Sequence, residues 1–127
     1  MSQDSIERNR DTDLGTVRIN NDCITQIASM AAMEVKGVNS MGRGGDFQFL
    51  ESLVRKTKPR GVKIQMKDNE LKLTLFIIVE YGMEITKVAD EVQVNAKRVV
   101  EKMTGLILSE VNVVVEAVHA HNQRRGG

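Results

Sequence analysis

Val62-Lys63-Ile64-Gln65-Met66-Lys67, then Asp68-Asn69, then Glu70-Leu71-Lys72-Leu73-Thr74-Leu75-Phe76-Ile77-Ile78-Val79, is the stretch whose reading decides the fold. Val62, Ile64 and Met66 alternate with Lys63, Gln65 and Lys67, and Leu71, Leu73, Leu75, Ile77 and Val79 resume the alternation after a short polar break. Successive side chains of a strand point to opposite faces, so each run has one apolar face. A two-residue turn at Asp68 and Asn69, both tolerant of positive φ, joins the runs into a hairpin with Met66 opposite Leu71 and Lys67 opposite Glu70. Register and charge then agree.

Downstream the period changes. Ile85, Val88, Ala89, Val92, Ala96, Val99, Val100 and Met103 recur three or four apart, which gathers them into one stripe of a helix that Gly105 can stop. A third alternating run places Val111, Val113 and Val115 on one side, and it needs the hairpin as a partner because an isolated strand leaves its backbone groups unpaired. Upstream, Thr16 to Ile19 reads as a short strand. Asn20, Asn21 and Asp22 offer oxygens to a helix start, Ile24, Ile27, Ala28, Ala31 and Val35 give that helix its stripe, and Gly37 ends it. Val38 to Met41 reads as extended. Phe47, Leu50, Leu53 and Val54 share one face of a short helix that Pro59 prevents from continuing. The expected fold is therefore α/β in the α+β sense: a small mixed sheet of three or more strands with two main helices on one face, in the order (β)-α-(short α)-β-β-α-β.

At 127 residues the chain is one domain that needs neither metal nor disulfide to support its core. Residues 1–14 are too polar to offset their ordering entropy and read as a mobile arm, 15–118 as the folded unit, and 119–127 as a flexible tail. The 18 basic and 17 acidic residues nearly cancel, which argues against the one-sign field of a dedicated nucleic-acid protein. A single cysteine, Cys23, excludes an internal disulfide and fits a reducing compartment. The first residues carry no apolar core of a signal peptide, and the apolar runs fall far short of the roughly 20 residues that span a bilayer. The expected location is cytoplasmic, with any membrane contact peripheral or through a partner.

Candidate sites each have a bland counterpart. Cys23 in a first helical turn would have its thiolate favoured by the helix dipole, but no histidine or lysine is adjacent in sequence to serve as a base, and an ordinary small residue, packed or half exposed, is the better account. His119 and His121 could face one metal from a strand end, yet a third ligand is missing and a fraying tail is the simpler account. Gly42 to Gly45 has the Gly-x-x-Gly spacing with which KH domains clamp a nucleic-acid backbone; the scarcity of aromatics, with three Phe, one Tyr and no Trp, limits base stacking and favours a hinge. Arg55, Lys56, Lys58 and Arg60 could meet an anionic partner or lipid headgroups, or be solvated loop charge. The face of the sheet turned from the helices would carry Lys63, Gln65, Lys67, Lys72 and Thr74, which belong in water, together with Phe76, Ile78, Val114 and Val118, which do not. Those four are the candidate partner-binding residues.

A family resemblance adds to this. The segments Lys36-Gly37-Val38, Arg60-Gly61-Val62-Lys63-Ile64, Ile78-Val79-Glu80-Tyr81-Gly82, Val88-Ala89-Asp90-Glu91-Val92-Gln93, Glu101-Lys102-Met103-Thr104-Gly105-Leu106 and Val111-Asn112-Val113-Val114-Val115, at these intervals between about Gly15 and Val118, resemble the bacterial alkaline shock protein family, also called the envelope stress response family. The resemblance implies a small cytoplasmic α/β protein without known enzymatic activity. In some members it implies self-association and attachment to the membrane through a small integral partner, and in others a link to fatty-acid precursor supply. Many members have a proline where this chain has Lys36. No nucleophile with its base, metal set or phosphate loop is evident, so no catalytic residue, cofactor or metal is assigned. The leading expectation is a non-enzymatic scaffold or adaptor of the envelope stress response that forms a homo-oligomer or binds a membrane-anchored partner; the alternative is a KH-like nucleic-acid-binding module using Gly42 to Gly45 and the basic cluster.

Overall fold

The computed structural model describes residues 10–12, 14–44, 61–68 and 70–120. The hairpin forms as its alternation dictates: β4 (Val62–Lys67) and β5 (Glu70–Glu80) pair antiparallel, with Met66 opposite Leu71 and Lys67 opposite Glu70. Asp68 supplies positive φ at the turn, at 52°. Leu71, Leu73, Leu75, Ile77 and Val79 all face one way and none is more than 3% exposed. Against them pack α1 (Asn21–Met33), through Ile24, Ala28 and Ala32, and α2 (Ile85–Thr104), through Val88, Val92, Ala96 and Val100. Full burial of each branched aliphatic side chain in this layer contributes roughly 1.5–3 kcal/mol, so the layer is the core. Gly105 terminates α2 in the left-handed conformation, φ 78°, its N–H donating to the Glu101 carbonyl. The chain returns as β6 (Leu108–His119), parallel to β5, which is the pairing a helical crossover permits.

Among the described residues the sheet has four strands but three lanes. β6 follows one edge of β5 for its whole length, while β3 (Val38–Met41) and β4 share the other edge end to end. They change over at Phe76, whose N–H donates to the Gly61 carbonyl at 2.8 Å and whose carbonyl accepts from Gly42 N–H at 2.7 Å. Gly61 must be glycine: its φ is +76° and a Cβ there would lie 2.8 Å from the Phe76 carbonyl oxygen.

Several details differ from the expectations. Asn20 caps α1 through its backbone carbonyl, which accepts from Cys23 and Ile24 N–H, and makes no side-chain cap bond. The helix stops at Met33, two residues short of Val35, and Gly37 serves the following turn, its carbonyl accepting from Glu80 N–H at 2.8 Å. Before α1, β1 (Arg10–Thr12) pairs with β2 (Gly15–Val17) in a separate two-stranded sheet, while Ile19, expected at the end of that strand, packs on the core instead. The short helix expected around Phe47 to Val54 lies outside the described residues.

Candidate interaction face

Alternation fixes what the second face of the sheet presents. Residues paired across lanes share a face, so Lys63 with Thr74, Gln65 with Lys72, Thr74 with Asn112 and Phe76 with Val114 all point away from the helices. The half nearest the hairpin turn is polar. Lys72 Nζ lies 3.5 Å from Glu110, whose carboxyl is held below its usual range by a hydrogen bond from the Asn112 amide and by the charge of Lys72. The other half is apolar: Phe76 and Ile78 are half-buried and Val114 is 41% exposed.

Val118 does not join them. The pairing of β5 with β6 slips between Ile77–Val115 and Ile78–Ala117, so one residue, Glu116, is extra on β6. A one-residue slip transfers every later side chain to the opposite face. Ala117 therefore takes the place beside Ile78, and Val118, expected on the open face, stands beside Val79 on the helix side, 44% exposed at the end of the sheet. Nothing in the alternation of valines announces a bulge; the signal available was a lone carboxylate, Glu116, in an otherwise aliphatic run.

Glu116 has a defined task. Its carboxylate accepts from Arg43 N–H at 2.9 Å and Gly44 N–H at 3.0 Å, and a Cβ on Gly42 would run into it. The Gly42-Arg43-Gly44 turn is thus tied to β6 beside Phe76. Those two N–H groups are ones a bound phosphate would use, and the chain's own carboxylate takes them. Gly45, the fourth residue of the candidate KH-like loop, lies outside the described residues, as do Arg55, Lys56, Lys58, Arg60 and His121.

The outer edge of β6 is treated unequally along its length. On α2, Gln93, Lys97 and Glu101 form an i, i+4, i+8 row. Glu101 accepts from Leu108 N–H at 2.8 Å, Lys97 donates to the Leu108 carbonyl at 3.1 Å, and Gln93 donates to the Val111 carbonyl at 2.8 Å. The Lys97 hydrogen bond, then the Leu108 N–H, hold the Glu101 carboxyl below its ordinary range. These side chains cover edge backbone groups that would otherwise invite another strand.

The remaining candidates gather no chemistry. Cys23 is exposed, and His119 closes β6 with its carbonyl accepting from Tyr81 N–H. Among the described residues no three His, Cys, Asp or Glu side chains are placed to share a metal. A shallow cleft of about 510 Å³ between the end of α1 and α2 is lined by Glu34, Val35, Lys36, Asp90, Glu91, Val94 and Asn95. The Asn95 amide there is spent on the Ala31 carbonyl and Glu34.

With this geometry in place, comparison with known proteins decides the family. The model of the alkaline shock protein 23 family, described as having a cell envelope-related function, matches residues 9–120. The chain belongs to this family. YloU of Bacillus subtilis (strain 168) is 30% identical over 113 residues, covering 87% of this chain and 94% of the relative. YqhY of the same organism is 32% identical over 108 residues, covering 85% and 80%. A solved MamM-CTD variant covers 77% of this chain at 14% identity with a TM-score of 0.49, too slight a likeness to carry an argument. Among the described residues no helix is long and apolar enough to cross a membrane.

Proposed function

We propose that this family member is a non-enzymatic scaffold or adaptor in the cytoplasm, working at the inner face of the envelope. On this reading it associates with itself or with a small membrane-anchored partner through the open sheet face. The observation that carries the proposal is the register pair Phe76–Val114: two apolar side chains adjacent on the face opposite both helices, with Ile78 beside them. Apolar surface gathered in one place is more favourable covered than wet, and such patches mark interfaces. The envelope-related description of the family supports the setting. Arg55, Lys56, Lys58 and Arg60 are proposed to add attraction to an anionic partner or headgroup surface, each by up to about 1 kcal/mol.

Sedimentation velocity of the full chain at high micromolar concentration tests the self-association. Wild type is expected to sediment as a dimer or larger and Phe76→Asp as a folded monomer. Identical monomers for both would remove the self-association, and capture of an integral membrane partner by wild type but not by Phe76→Asp would then be the remaining support. The KH-like alternative predicts RNA binding that collapses with salt; a flat titration at low ionic strength eliminates it.

A further inference from the structure

The backbone of β6 carries a second feature, distinct from the side chains of the open face. Phe76 and Glu80 direct their N–H groups to the β3–β4 lane, bonding Gly61 and Gly37, while the His119 carbonyl reaches back to Tyr81 on the β5 side. Since strand residues alternate in where their N–H and C=O point, the register of β6 on β5 turns the backbone groups of Leu108, Val111, Val113 and Val115 to the outer edge. Three independent bonds agree, because the Leu108 N–H and carbonyl and the Val111 carbonyl are the groups that Glu101, Lys97 and Gln93 take.

The row on α2 then changes character. One further turn back from Gln93 stands Ala89, and one beyond that Ile85, neither of which can hydrogen-bond an edge. The protection stops at Val111. On the other side the Glu116 bulge ends the regular ladder. Between the two stops lie the outward N–H and C=O groups of Val113 and Val115, which no described residue bonds, on a strand without lysine or proline to discourage pairing.

We infer that this window is filled by the same window of a second copy, β6 against β6, antiparallel, with the two-fold axis at Val114. The symmetry of the open groups selects that occupant. Val113 and Val115 are placed evenly about Val114, so a two-fold there sets Val113 of each copy opposite Val115 of the other. Each such hydrogen-bonded pair exchanges both of its bonds, leaving none of these groups unsatisfied. No like charges meet: with Glu116 bulged out of the ladder, Glu110 falls opposite His119. Val114 meets its own counterpart, so the Phe76–Val114 patch continues across the axis onto the second copy. Ala89 and Ile85, short or apolar, leave room for the two α2 helices to approach. This pairing rests on the self-association proposed above and names a contact for it, the strand edge.

Cysteine cross-linking of the full chain in a Cys23→Ser background tests the register. In this arrangement the Val114 pair is not mutually hydrogen-bonded, so its Cα atoms are about 4.5 Å apart, within disulfide range. Val114→Cys is expected to form covalent dimers several-fold faster than Glu110→Cys, while Glu110→Cys mixed with His119→Cys cross-links between copies. Extending the guard by Ala89→Gln is expected to abolish the Val114→Cys cross-link with the folded circular dichroism spectrum retained. In unmodified protein, amide exchange at Val113 and Val115 should slow as concentration rises. If the chain self-associates and Phe76→Asp abolishes that, but Val114→Cys cross-links no faster than Glu110→Cys, the edge pairing is overturned and the face reading stands. If the Val114→Cys cross-link survives Phe76→Asp, the edge pairing stands and the face is not its cause. A chain monomeric throughout, with unchanged exchange, overturns both.

Discussion

The two faces of β5 are made of nearly the same material and end differently. Leu75 and Ile77 look toward the helices and are fully buried, whereas Phe76 and Ile78, one residue on, look the other way and stay half-buried. The difference lies in what stands opposite. Alanines at 28, 32 and 96 bring α1 and α2 down onto the first face. The second face meets lysines at one end and the Gly42–Glu116 tie at the other. Apolar character by itself therefore does not define the core; the covering element does.

Truncation is the sharpest way to break this comparison. Leu75→Ala is expected to cost about 3 kcal/mol, read as a fall in urea midpoint, because its cavity is sealed on all sides. Phe76→Ala should cost less than half of that despite removing more atoms. Equal losses would make both faces core and withdraw the proposed interface.

The lane change at Phe76 should be nearly as sensitive. Gly61→Ala combines a left-handed φ with a Cβ against a backbone carbonyl, and about 2 kcal/mol of stability is expected to go. Gly44 also has positive φ, +97°, but a Cβ added there would meet no atom within 4 Å, so Gly44→Ala should lose roughly half as much. Similar thermal midpoints for the two would show that clash at the changeover is unimportant. Glu116→Gln keeps the shape of the tie but not its charge, and about 1 kcal/mol is expected, visible as a lowered Tm.

The smallest effect is a pH dependence. The folded Glu101 carboxyl titrates below its unfolded value, so its contribution is complete above the unfolded pKa and is lost as pH falls through the depressed folded one. Glu101→Gln should lower the neutral-pH urea midpoint slightly and flatten the acid decline by the same small amount, since the carboxylate is partly solvated. An unchanged acid limb would mean that the Lys97 and Leu108 bonds carry no linkage.

The hairpin, its register and the helix-side core were legible because they follow from periods of two and of three to four, and Lys67 opposite Glu70 fixed the alignment. The location of Phe76 beside Val114 was legible for the same reason. What escaped was whatever depends on one residue too many or on distant backbone. The Glu116 bulge moved Val118 to the other face, Phe76 bonded two glycines far apart in sequence, and Arg10–Thr12 found a strand partner although their composition offers little to bury. Periodicity describes a strand's own faces but carries no information on which edge it lends or where its partner slips.

The meeting of Gly42 and Gly61 on a single residue, Phe76, has one more consequence. A chain that leaves a sheet and rejoins it at the same residue has its ends pinned together whatever lies between, and closing a loop costs only about 0.6 kcal/mol for each doubling of its length. The stretch from Arg43 to Arg60 can thus change in length and content while the sheet keeps its alignment, which makes that stretch the natural place for this fold to acquire a new specificity.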